Sequence, residues 1–117
     1  MSNPALPRPV NRFVEAVKQG DTKAFLAFFP KDGVVIDSGR RFAGHDAILG
    51  WSDQEFIGAH GRVTVKKVEQ KKNVVTVKAE WKSTYYSGPS STYYSGPSSF
   101  EFVLDGERIQ KLRIKGE

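Results

Sequence analysis

Few side chains in these 117 residues carry groups that chemistry uses. There is no cysteine, so thiol catalysis and a disulfide framework are excluded. His45 and His60 are the only histidines, and no spaced His–Glu pair accompanies them, so no metal site and no cofactor is expected. The chain has no Ser-His-Asp order, no phosphate-cradling glycine loop and no dinucleotide fingerprint. Among the acids Asp37 stands apart. It closes the β-branched run Val34-Val35-Ile36, just ahead of the turn Gly39-Arg40-Arg41. A carboxylate so placed either does acid–base work or pairs with Arg40, Arg41 or a backbone N–H, and both readings stand at this point. His45, beside Gly44 at a helix start, reads as a capping or surface residue. His60, in Gly58-Ala59-His60-Gly61, reads as a loop residue, with a proton shuttle at a pocket mouth as the sharper alternative.

The elements that must position Asp37 follow from period. Val10, Phe13, Val14 and Val17 recur at i, i+3, i+4 and i+7, an amphipathic helix stripe. Pro9 suits its first turn and Gly20 its end. Asp21 caps a second helix, Thr22 to Phe29, stopped by Pro30. Asp32-Gly33 turns into the strand that ends at Asp37, and Phe42-Ala43 reads as a returning stub. Gly44 to Trp51 fits a short third helix, with Ser52 or Asp53 recapping a further contact at Phe56 and Ile57. From Arg62 the period becomes two: Val63 and Val65, with Val68 out of step, then Val75, Val77, Ala79 and Trp81 on one face. Phe100, Phe102 and Leu104 form the next strand. Asp105-Gly106 is a tight turn, and Ile109, Leu112 and Ile114 form a last strand whose parity shift implies a bulge.

Residues 83–90, STYYSGPS, are repeated without change as residues 91–98. An unchanged eight-residue copy reads as a local tandem duplication, and its lack of divergence points to an engineered origin. Eight is even, so a copy leaves every downstream residue on its original sheet face. The expected result is a lengthened hairpin, with Thr84-Tyr85-Tyr86 pairing across a tip at Gly88-Pro89 with Thr92-Tyr93-Tyr94. Gly96-Pro97 would then sit in the returning strand as a bulge or edge break. A loop of about sixteen residues is the rival arrangement, uncommon in a compact domain.

The order helix, Gly-Asp, helix ending in Phe-Phe, Asp-Gly, short strand ending in Asp, then Gly-Arg-Arg-Phe-Ala-Gly-His-Asp-Ala-Ile and Trp51, resembles the nuclear transport factor 2-like superfamily. Its relatives include ketosteroid isomerases and SnoaL-like polyketide cyclases. The likeness runs from Val10 to Ile114. It implies one α+β domain over residues 1–117, with a cone-shaped, curved antiparallel sheet wrapped around three N-terminal helices. It also implies an apolar pocket for a small hydrophobic molecule and a homodimer formed through the open sheet face. Asp37 matches the general-base position of the isomerases, where burial of a carboxylate strengthens it as a base. Phe13, Val17, Phe42, Trp51, Phe56, Trp81, Tyr85 and Phe100 are the implied pocket residues. The departures are equally specific. Phe13 and Phe100 stand where those isomerases carry oxyanion donors, and neither can donate a hydrogen bond. Any surviving chemistry would borrow donors from Tyr85, Tyr93, Trp51 or Trp81. The competing expectation is a non-catalytic binding or dimerisation module whose cavity is filled by Phe13, Phe28, Phe42, Trp51, Trp81 and Phe100.

Composition is that of a globular protein, 38% hydrophobic and 12% aromatic. No apolar run approaches the ~20 residues of a membrane span. The start MSNPALPRPVNR shows no apolar signal segment, so a cytoplasmic location is expected. The net charge of +5 comes with Lys66, Lys67, Lys71, Lys72, Lys78 and Lys82 around one hairpin, and Lys111, Arg113 and Lys115 near the end. Their alternation with apolar residues fits a solvated outer sheet face, protected against edge pairing, better than a nucleic-acid surface.

Overall fold

The computed structural model describes residues 6–58, 62–86 and 92–116. Its elements run α1 Arg8–Gln19, α2 Thr22–Ala27, β1 Val34–Asp37, β2 Arg40–Ala43, α3 His45–Glu55, β3 Arg62–Lys71, β4 Val74–Tyr86, β5 Thr92–Asp105 and β6 Arg108–Gly116. The strands form one curved, unclosed sheet in the order β2-β1-β6-β5-β4-β3, with the helices against it in an α+β arrangement. Four of the pairings are antiparallel, and β1 runs parallel to β6. A parallel neighbour requires a long crossover, which here is everything from β2 to β5.

The amphipathic stripe of α1 is buried at Val10, Phe13, Ala16 and Val17, and Gly20 ends the helix. Asp21 caps α2, its carboxylate accepting from the Ala24 N–H at 3.1 Å. The helix stops at Ala27 rather than Phe29, because Phe28 and Phe29 already turn toward Pro30. α3 runs unbroken through Ser52 and Asp53 to Glu55, so the expected recapping does not occur. Two bulges reconcile the parity shifts. One lies between Val65 and Lys67, just before Val68, and one lies opposite the Val103–Leu104 step, letting Ile109, Leu112 and Ile114 all be buried.

The repeat does lengthen the β4–β5 hairpin, with Ser83 opposite Tyr94 and Tyr86 opposite Thr92. Gly96 and Pro97 lie in regular register opposite Trp81 and Glu80. The irregularity falls instead between Ser83 and Tyr86. Pro97 lies one residue before Ser98, which with Gly116 makes the first described β5–β6 pair. The expected tip at Gly88-Pro89 lies outside the described residues.

Register fixes what faces the helices. Val35, Leu112, Phe102 and Val75 form one row across β1, β6, β5 and β4. The next row is Asp37, Ile114, Phe100 and Val77. Seven of these eight residues are buried and apolar. Asp37 is the single acid in these two rows. Among the described residues no helix is long and apolar enough to cross a membrane.

Candidate functional site

Asp37 is held in place by the turn that follows it. Ser38 and Gly39 both have positive φ, 53° and 85°, as a tight two-residue hairpin between right-twisted strands requires. That turn sets Arg40 directly opposite Asp37. The Arg40 guanidinium lies 3.2 Å from Asp37 Oδ2. The same oxygen accepts the Trp51 indole N–H at 2.9 Å. Among the described residues, Oδ1 has only the Ser38 hydroxyl, at 3.4 Å. The carboxylate is therefore anchored chiefly through Oδ2. The Asp37 side chain is 20% exposed, against 51% for Arg40. It is thus partly enclosed on the helix side of the sheet and paired with Arg40 as well. Of the two readings left open by the sequence, the pairing with Arg40 is the one observed.

Aromatic residues fill the ground beyond it. Phe42 packs on Trp51 with ring centroids 6.0 Å apart, and Arg40 lies over the Phe42 ring at 5.5 Å. Trp51 stacks on Phe56 at 4.7 Å, and Phe56 stacks on Trp81 at 4.7 Å with only 7° between planes. Trp81 continues to Phe100 at 6.4 Å. Phe13 meets Phe102 edge-on at 5.1 Å and Phe56 at 5.9 Å. Seven residues named from sequence, Phe13, Val17, Phe42, Trp51, Phe56, Trp81 and Phe100, thus belong to the packed interior or, for Phe42, lie half-buried against it. Of the Tyr85 side chain, and of His60, nothing is described.

The structure adds two features that the sequence did not signal. His45 Nε2 lies 2.7 Å from the Phe29 carbonyl oxygen, tying the start of α3 to the end of α2. Ser52, one residue beyond Trp51, is fully buried, and its hydroxyl has no hydrogen-bond partner among the described residues. A buried orphan hydroxyl is uncommon enough to require a reason. In the sequence Ser52 stands before Asp53, Gln54 and Glu55 and reads as a capping residue, so nothing there signals its burial. An open concavity of about 860 Å³ between Glu69 and Thr76 lies at the β3–β4 turn, four strands from Asp37. Its lysine-rich, open lining fits solvent better than a ligand. Among the described residues no three His, Cys, Asp or Glu side chains gather as a metal set.

The sequence that folds this way matches a known family model over residues 10–111, that of the SnoaL-like domain. The chain belongs to that family. Among solved structures, this SnoaL-like protein is similar to a candidate polyketide cyclase from Sinorhizobium meliloti, at 27% identity and TM-score 0.79, over 94% of this chain and 95% of that one. It is also similar to the Delta 5-3-ketosteroid isomerase of a Mycobacterium species, at 19% identity and TM-score 0.79, over 93% and 90% of the chains. A third is a Mycobacterium tuberculosis protein in complex with estradiol-17beta-hemisuccinate, at 14% identity and TM-score 0.80, over 93% and 91%. The last two likenesses concern the fold alone. No curated protein matches this SnoaL-like sequence.

Proposed function

We propose that this SnoaL-like protein binds a small hydrophobic molecule on the helix side of its sheet, with Asp37 as the general base for an acid–base reaction of the isomerase or cyclase type. One observation carries this reading. Asp37 is the lone acid in two apolar rows, held through Oδ2 by Trp51 and Arg40, while Oδ1 meets only the weakly held Ser38 hydroxyl at 3.4 Å among the described residues. A general base needs fixed orientation and a lone pair within reach of the ligand. The solved relative that holds a steroid ester supports a ring-shaped ligand. Phe13 and Phe100 are both buried hydrocarbons, so the two oxyanion donors of the isomerases have no counterpart at these positions. Losing one such donor lowers rates by about 10²–10³, and steroid isomerisation is expected to be slow or absent.

The packing of Phe13, Trp51, Phe56, Trp81 and Phe100 on one another favours a second reading, a non-catalytic module whose hollow is filled by its own side chains. A homodimer through the opposite sheet face, where Val34, Ile36, Val103 and Arg113 are half-buried, fits either reading. A thermal-shift screen of apolar ring compounds against the native protein and Asp37→Asn separates the two. Ligands that stabilise the native chain and lose that effect in Asp37→Asn support the first. A native protein that responds to none supports the second.

A further inference from the structure

The ring of Phe56 occupies a place built for a flat guest. It lies between two indoles, 4.7 Å from each, at 21° to Trp51 and 7° to Trp81. The spacing is that of one aromatic ring in a stacked sandwich. Trp51, Trp81, Phe13 and Phe100 are fixed in helices and strands, whereas Phe56 stands just beyond the end of α3. Two hydrogen bonds tie that end down, from the Phe56 N–H at 3.0 Å and the Gly58 N–H at 2.9 Å, both to the Ser52 carbonyl. Releasing them frees the backbone there without unzipping a helix or a strand, and withdrawing Phe56 would also part its ring from Phe13 and Phe25, 5.9 and 5.8 Å away.

The orphan hydroxyl of Ser52 gives an independent indication. Ser52 precedes Phe56 by four residues, so the two lie on one helix face, one turn apart. Its Oγ is buried without a partner among the described residues. With Phe56 withdrawn, a polar group on a guest would meet that hydroxyl. The other end of the slot is also polar, since the Trp51 indole that stacks on Phe56 donates through its edge to Asp37.

Resting on the small-molecule reading above, we infer that Phe56 is a displaceable plug, and that the slot between Trp51 and Trp81 takes a planar aromatic ring bearing a hydroxyl, stacked between the indoles with its O–H toward Asp37 Oδ1. The closed form then lowers apparent affinity, because only the fraction of molecules with Phe56 withdrawn is competent to bind.

The test uses 2-naphthol as the planar probe and decahydro-2-naphthol as its puckered counterpart, followed by tryptophan fluorescence and amide hydrogen exchange. In the native protein, 2-naphthol is expected to quench the indoles and to speed exchange at Phe56 and Gly58 while slowing it in β4 and β5. Phe56→Ala, or Phe56→Leu if the alanine variant does not fold, is expected to bind 2-naphthol about tenfold more tightly, because the closed state no longer competes. The puckered alcohol is expected to bind far more weakly than 2-naphthol. Three results overturn the inference: native binding with Phe56 and Gly58 protected, equal affinity for the two alcohols, or binding by the variants but not by the native chain. If native protein binds apolar rings elsewhere without moving Phe56, the plug is refuted and the pocket reading survives. If neither native protein nor variants bind any ring compound, both fall.

Discussion

The indole N–H of Trp51 donates to Oδ2 of Asp37 across 2.9 Å, joining the middle of α3 to the last residue of β1. The contact orients the only acid in two apolar rows, and it makes one tryptophan both a wall of the interior and an anchor for the candidate base.

Trp51→Phe keeps most of the packing and removes that donor. A hydrogen bond to a charged group contributes about 1.5–3 kcal/mol, so urea denaturation should report a loss in that range. Arg40→Gln removes a half-exposed ion pair and is expected to cost no more than about 1 kcal/mol. A larger effect from Arg40 than from Trp51 would reverse the assignment of the principal anchor.

Phe13→Ala empties the point where α1 touches Phe25, Phe56 and Phe102. Truncating a buried phenylalanine costs about 3–5 kcal/mol, against a total stability for small domains of about 5–15 kcal/mol. The variant should show a much lower denaturation midpoint or fail to fold. A loss below 1 kcal/mol would mean that the aromatic cluster is not the core.

Gly58→Ala tests the end of α3. A Cβ built there collides with the Asp53 carbonyl oxygen, so that the turn over Ser52 must open. Overpacking of this kind costs about 1–3 kcal/mol. The near-ultraviolet circular dichroism of the Trp51–Phe56–Trp81 stack is expected to change with it. An unchanged spectrum would show that Phe56 is held independently of the turn.

Deleting residues 84–91 leaves Ser83 joined through Thr92 and Tyr93 to Tyr94, its present partner across the hairpin. Every pair from Lys82–Ser95 onward keeps its register and face. The shortened chain is expected to fold with a loss near 1 kcal/mol, about 4–8 °C in Tm, since Thr-Tyr lacks the residues a two-residue turn favours. Failure to fold would show that the repeat belongs to the core rather than lying outside it.

Local geometry was legible in the sequence wherever a period could record it. The stripe of α1, the alternation from Val75 to Trp81, the bulge that lets Ile109, Leu112 and Ile114 share one face, and the acid closing β1 all follow from which neighbours along the chain must be buried together. Proline and glycine fixed the ends. What no period records is the identity of a partner far along the chain. The parallel pairing of β1 with β6, the reach of α3 past Ser52, the bond from Trp51 to Asp37 and the seat of Phe56 between two tryptophans exist only once the sheet has curved around its helices. Amphipathic pattern states that a side chain is buried, while the tertiary fold alone decides against what.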